Sequence, residues 1–304
     1  MSLVIKDLTK KYAQQLAVNH ISFTAKKGEI LGFLGPNGAG KSTTMKIATC
    51  YLPSTAGTVT VCGYDVQTHP LEVRQKIGYL PEHNPLYLDM YVREYLQFMG
   101  KLYGLTGQHL QQRTKDMIDL CGLEREQHKL LGALSKGYRQ RVGLAQAFIH
   151  DPEVLILDEP TTGLDPNQIL EIRQVIKQIS KDKTVVFSTH IMQEVKALCD
   201  RVVIINLGQI VADKPIQELA LQEEQRIIVE VATPITEIAL AALQGLAEKL
   251  VIELIDLQKV RIRATQATDI RPLVSQWAMQ QQLPLIEMRK EETTLEKVFY
   301  ELTR

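Results

Sequence analysis

Little in this chain points to a thiolate metal cluster, a disulfide framework or a membrane span. Its four cysteines, Cys50, Cys62, Cys121 and Cys199, are scattered over 304 residues without Cys-x-x-Cys spacing. That excludes zinc held by thiolates and a disulfide scaffold, and leaves them as reduced packing residues. No run approaches the roughly 18 apolar residues of a bilayer span. The first residues include Lys6, Asp7, Lys10 and Lys11, where a secretory signal would be apolar, so a cytoplasmic chain is expected. Net charge is missing as well: 35 Lys and Arg balance 35 Asp and Glu. No global field then draws the protein to nucleic acid or to an anionic membrane surface, and no nucleic-acid partner is expected. What is present is length and ordinary hydrophobicity. With 45% apolar residues the chain is globular in composition, and its 304 residues exceed what one core usually supports, so two are expected.

The most informative stretch is 35–42, where Gly35, Pro36, Asn37, Gly38, Ala39 and Gly40 precede Lys41 and Ser42. A loop of this composition wraps backbone N–H groups around a nucleotide's phosphates, and its glycines permit positive φ and close backbone approach. Lys41 supplies a cation to the β and γ phosphates, and Ser42 offers its hydroxyl to Mg²⁺. Residues 29–34 before the loop read as a buried strand. From Thr43 to residue 50 the chain reads as a helix whose N-terminal dipole faces the phosphates. Strands are expected at 4–8 and 18–24. Tyr12 lies in the loop between them, placed to stack on the nucleotide base, and Val18 is placed to pack beside base or ribose.

Further strands are expected at 58–62 and 77–80, then helices over 92–102 and 108–121 that read as a helical subdomain inserted into an α/β core. Ser135 is a suitable N-cap for the next helix, and Gly137 lets its backbone approach a ligand. The apolar run 154–157 ends in Asp158 and Glu159. A parallel sheet binds ligands at the carboxyl ends of its strands. Asp158 is therefore placed to hold Mg²⁺ directly or through its water, and Glu159 to polarise an attacking water. A further strand, 184–189, leads to His190, in reach of a γ phosphate.

Together these stretches resemble the ATP-binding subunit of ABC transporters over residues 2–215, most specifically in Leu-Ser-Lys-Gly-Tyr-Arg-Gln at 134–140, which is similar to that family's signature motif. The resemblance implies a P-loop NTPase core that binds ATP and Mg²⁺ and hydrolyses ATP, with Lys41, Glu159 and His190 catalytic and residues 163–166 as the D-loop. It implies a head-to-tail homodimer in which Ser135 and Gly137 of one copy cover the nucleotide held by the other. A membrane permease is the implied partner, with the chain peripheral on the inner face of the membrane. Tyr87, Leu88, Met90 and Tyr91 are candidates for that contact, or pack within the helical subdomain. Glu82 stands where most of the family carries glutamine, among the nucleotide and metal ligands. Stretches 78–87 and 189–194 are similar to the gliding-motility branch of ABC-2-type exporters. Gliding machinery, polysaccharide and drug cargo stay open. A second reading, a soluble ATPase of the same class working on ribosomes or nucleic acid, is opposed by the neutral charge, the single copy of the motif set and the lack of basic arms.

The charged stretch 221–226 marks the expected boundary between an ATP-binding domain, 1–220, and an accessory domain, 221–304. Strands at 227–231, 251–255, 259–264 and 285–288, with helices at 235–246 and 270–281, give the order βαββαβ of a ferredoxin-like α+β domain. Lys259, Arg261 and Arg263 share one sheet face, but no aromatics accompany them for base stacking, so a solvated face is expected rather than an RNA platform. Residues 294–303 read as an amphipathic helix with Leu295, Val298, Phe299 and Leu302 on one side.

Overall fold

The computed structural model describes residues 1–180, 182–221, 225–246, 250–264 and 269–291, with Phe299 and Thr303. The chain forms two compact units, Met1–Ile216 and Gln217–Glu301. The first is built on a six-stranded sheet in the order Gln209–Pro215, Arg201–Asn206, Ile30–Leu34, Thr184–Thr189, Val154–Asp158, Ile77–Leu80. Five of these strands are parallel, and Gln209–Pro215 runs antiparallel at one edge. The strands Ile30–Leu34, Val154–Asp158 and Thr184–Thr189 are buried at every position. A strand covered on both faces has no polar side to alternate with, hence the near-continuous apolar runs in the sequence.

A four-stranded antiparallel sheet, Gln15–Ala25, Leu3–Tyr12, Ala56–Val61 and Tyr64–Asp65, joins the same core. Leu3, Ile5 and Phe23 from it meet Phe33, Ile156 and Val186 of the parallel sheet, along with Met45 and Ile47 of the helix Lys41–Ala48. The rings of Phe23 and Phe33 stack at 5.1 Å. Burial of each such side chain stabilises the fold by about 1.5–3 kcal/mol. The helices Val92–Leu102, Gly107–Leu120 and Lys136–Phe148 pack on one another. Arg113 ties the second to the third, donating to the carbonyls of Phe148 at 2.9 Å and Ile149 at 3.1 Å.

Several elements differ from expectation. Tyr12 is the last residue of the first strand, paired with Gln15, rather than part of a loop. Three short helices, Pro70–Lys76, Met192–Leu198 and Ile216–Leu221, escape a periodicity reading because six or seven residues span too few turns to show an apolar stripe. The last of them runs across the division between the units.

The second unit has an antiparallel sheet in the order Leu250–Asp256, Lys259–Ala264, Gln225–Val231, Leu285–Glu291, with helices Glu237–Gln244 and Arg271–Gln280. This is the ferredoxin-like arrangement that the order βαββαβ implies. Ile227, Val229, Val260 and Ile262 face Leu243, Val274 and Trp277 in its core, and the Trp277 indole N–H donates to the Ala239 carbonyl at 2.9 Å. The basic row on the other face is matched by acids. Lys259 lies 2.6 Å from Glu230, and Arg261 and Arg263 lie 3.0 and 3.1 Å from Glu253. Apart from Phe299 and Thr303, the helix read at 294–303 lies outside the described residues.

Candidate functional site

The strands Ile30–Leu34, Val154–Asp158 and Thr184–Thr189 deliver their carboxyl ends to one edge of the sheet, and the site is assembled there. Gly35 leaves the first strand so close to its neighbour that a Cβ would sit 2.3 Å from the Ile205 carbonyl oxygen. Gly40 adopts φ 109 at the N-cap of the helix Lys41–Ala48, and a Cβ there would meet the Ala17 carbonyl at 2.6 Å. These two positions accept only glycine, the first by contact and the second by conformation as well. The loop is tied down on both sides: Gly35 N–H donates to Thr189 O at 3.4 Å, and Gly208 N–H to Ala39 O at 3.0 Å.

Lys41 folds back under this loop. Its ammonium donates to the carbonyls of Gly35 at 2.8 Å and Pro36 at 3.3 Å, and lies 3.3 Å from Glu159 Oε1, with side chains 6% and 7% exposed. Glu159 has φ 50, which turns the chain sharply at the end of the strand Val154–Asp158. Its N–H donates to Ser188 O at 3.1 Å and Ser188 Oγ at 3.2 Å. Its second carboxylate oxygen accepts from the Thr162 hydroxyl at 3.2 Å and lies 2.8 Å from His190 Nδ1. A carboxylate held this way, beside a histidine and at the mouth of a cleft, is placed to accept a proton from water.

Asp158 is 1% exposed, and Ser188 Oγ donates to it at 2.5 Å. Burial pushes its pKa above the ordinary aspartate range; the Ser188 and Ser42 hydroxyls oppose that shift, and Glu159 and Glu82 add to it. The protonated carboxyl therefore favours folding. Its contribution is complete below the unfolded chain's value and is lost as pH rises through the raised folded value. The neutral isostere escapes that loss. Nucleotide-free Asp158→Asn is expected to melt above wild type at pH 7, with the gap closing as pH falls below the ordinary aspartate range. Calorimetry across pH checks this, and an equal or lower melting temperature at pH 7 would refute it.

The cleft in front of these groups has a volume of about 430 Å³ and is lined by Tyr12, Gln15, Asn37, Gly38, Gly40, Lys41, Ser42, Thr43, Glu82, Glu159, Thr162 and His190, among others. It thus gathers most of the residues that the sequence singles out. Tyr12 is 42% exposed at its rim, with Lys10 Nζ 5.2 Å from its ring centroid. Val18 is fully buried in the core, while Gln15 and Ala17 line the cleft. In a strand with alternating faces, the neighbour of an inward valine points to the opposite side.

Ser135 and Gly137 do not line this cleft. Ser135 caps the helix Lys136–Phe148, its hydroxyl accepting from Tyr138 N–H at 3.4 Å. Gly137 is buried under the Gln168 side chain, which a Cβ would approach to 2.6 Å. Ser188 and Thr162 hold the two acids, yet a serine inside a strand and a threonine in a turn carry no signal in the sequence. Among the described residues, no group of three His, Cys, Asp or Glu side chains is arranged to hold a metal alone. Ser42, Asp158 and Glu82 line an adjoining cleft, the first and last of them lining the cleft above as well, and they offer hard oxygen donors of the kind that Mg²⁺ takes together with water and phosphate oxygens.

The chain matches the family profile described as "ABC transporter" over residues 18–162. A second profile, "AAA domain, putative AbiEii toxin, Type IV TA system", matches residues 130–196. The chain is 33% identical over 304 residues to the "Linearmycin resistance ATP-binding protein LnrL" of Bacillus subtilis, covering 99% of this chain and 98% of that protein. It is 38% identical over 223 residues to the "Bacitracin transport ATP-binding protein BcrA" of Bacillus licheniformis, covering 72% of each. A solved "ATP binding subunit of ABC transporter" aligns with TM-score 0.67 at 30% identity, over 73% of this chain and 93% of that one.

Proposed function

As the chain belongs to the ATP-binding subunits of ABC transporters, we propose that two copies close head to tail around two ATP molecules and drive export through a separate membrane permease. The chain is an ATPase of that family. The observation that carries the dimer is the cleft itself, which holds Lys41, Ser42, Glu159 and His190 but neither Ser135 nor Gly137. A second copy related by a two-fold axis supplies both across the open side, and each copy completes the other's site.

Within that site Tyr12 stacks on the base, and the loop 35–43 holds the phosphates. Lys41 gives up its contact with Glu159 to the β and γ phosphates. Ser42, Asp158 and Glu82 would hold Mg²⁺, which would supply positive charge to offset that of the phosphates. Glu159 orients a water and takes its proton, and His190 holds Glu159 in place.

The chain is placed in the cytoplasm, peripheral on the inner face of the membrane. Its permease contact is the exposed apolar run Tyr87, Leu88 and Tyr91, which are 53%, 49% and 51% exposed, with the half-buried Met90 beside them. Such a contiguous patch favours a protein partner. A second cleft of about 430 Å³, walled by Tyr51, Tyr79, Pro81, Pro85, Tyr103 and Asp158, shares Ser42 and Glu82 with the nucleotide cleft. The names of the two relatives support an export cargo of the antibiotic kind, while stretches 78–87 and 189–194 favour the ABC-2 class and its gliding-motility branch. Protein purified from gently solubilised native membranes is expected to carry a polytopic membrane protein in one-to-one ratio. Ribosomes or DNA in its place would overturn the permease reading.

A further inference from the structure

The strand Thr184–Thr189 ends in a residue that joins three parts of the site. Thr189 is fully buried. Its carbonyl accepts the N–H of Gly35, the first glycine of the phosphate loop, at 3.4 Å. Its hydroxyl donates to Glu194 Oε2 at 2.7 Å and accepts the Ile191 N–H at 3.0 Å. Between the two residues so bonded stands His190, whose ring reaches Glu159 at 2.8 Å. The histidine is therefore fixed at both of its backbone neighbours, and the same hydroxyl serves each side.

Glu194 is an unlikely residue to find where it is. It lies on the helix Met192–Leu198 and is 1% exposed, and its other oxygen, Oε1, has no hydrogen-bond partner. Burying a carboxylate costs far more than burying a leucine, and closing the helix on the sheet does not require it, since Met192, Val195 and Leu198 already do so. What a carboxylate does, and an apolar group does not, is accept. A hydroxyl has one proton; a partner that only accepts takes it and leaves the oxygen lone pairs for the amide on the other side. Without that partner the hydroxyl is free to rotate, and the Ile191 N–H loses its fixed acceptor.

We propose that Glu194 is a positioning residue for His190. It locks the Thr189 hydroxyl as donor toward itself and acceptor toward Ile191, and so keeps the histidine ring on Glu159. This deepens the reading given above, because it takes Glu159 and His190 as the hydrolytic pair. No proton is transferred through Glu194 in this role.

The test compares variants on both sides of one hydrogen bond. Glu194→Leu and Thr189→Val remove it from opposite ends, the second without altering a buried charge. Glu194→Gln and Thr189→Ser keep an acceptor and a hydroxyl. The removing pair is expected to lower kcat by about tenfold or more, as a small displacement of a reacting group does, with KM for ATP changed by less than about threefold because the phosphate loop binds Thr189 through its backbone. The keeping pair is expected to restore kcat to within about threefold. In a His190→Ala background Glu194→Leu is expected to add no further loss, since the group it positions is already gone. The His190 ring resonance, assigned by its disappearance in His190→Ala, is expected to move in both removing variants and to return in Glu194→Gln.

Wild-type kcat and an unmoved resonance in Glu194→Leu and Thr189→Val would overturn the proposal. So would a loss by Glu194→Leu that is as large in the His190→Ala background as in wild type, which is what plain destabilisation gives. An inactive wild type would instead refute the ATPase reading, and the resonance, which needs no turnover, would still decide the role of Glu194.

Discussion

Glu159→Gln is expected to lower ATP turnover by about 10²- to 10⁴-fold, the usual contribution of a positioned general base, while leaving ATP binding in place. The amide has the shape of the carboxylate and still accepts from Thr162, whose hydroxyl donates at 3.2 Å. It keeps the backbone turn, because the N–H of residue 159 bonds to Ser188 regardless of the side chain. What it loses is the capacity to take a proton from water. With saturating ATP and Mg²⁺, bound nucleotide is no longer removed by hydrolysis, and light scattering is expected to show a closed dimer accumulating where wild type returns to monomers. A variant that stays monomeric under those conditions would rule out the head-to-tail sandwich, whereas one that turns over ATP at the wild-type rate would remove Glu159 from the chemistry.

The second large effect is expected from Lys41→Ala, and it falls on affinity and on stability together. Lys41 is the cation nearest to the phosphates' loop, so ATP affinity is expected to drop by about 100-fold or more, the worth of two charge-assisted hydrogen bonds. The same ammonium faces Glu159 at 3.3 Å with both side chains almost fully buried. Removing one member of a buried pair leaves the other charged and uncompensated, at a cost of about 3–5 kcal/mol. Thr162 and His190 still hold Glu159, so the lower end, about 3 kcal/mol, is expected. Lys41→Met combined with Glu159→Gln removes both charges and is expected to recover most of that stability without recovering ATP affinity. Urea unfolding separates the two effects, and a double variant as unstable as Lys41→Ala would show that the ion pair is not the source of the loss.

Contiguous chemistry was legible in the sequence. The loop at 35–42, the paired acids ending an apolar strand and the histidine ending another are each read within a few residues, and parallel-sheet logic puts all three on one edge. The helices Val92–Leu102 and Gly107–Leu120 are long enough to show their period, and the order of the C-terminal elements fixed a ferredoxin-like sheet. What escaped is held by long-range contact. Val18 and Ala17 differ by one residue and by which face of a strand they occupy, and the irregular pairing of that strand with its neighbour obscures the alternation. Ser188 acts only because the strand it sits in pairs with Val154–Asp158, its Cα opposite that of Asp158. The cover that Gln168 places on Gly137 joins the signature stretch 134–140 to the helix Pro166–Ile179, two stretches that are read separately.

The backbone of Glu159 lies at φ 50, in the left-handed region, which costs a side chain with a Cβ about 1–2 kcal/mol and costs glycine almost nothing. Selection for endurance and selection for work therefore pull this position apart. A library randomised at 159 and sorted only for survival of heating is expected to enrich glycine and asparagine; one sorted for turnover is expected to keep the acid. A lineage freed from the need to hydrolyse ATP would be expected to give up its glutamate here early, while the rest of the fold persisted.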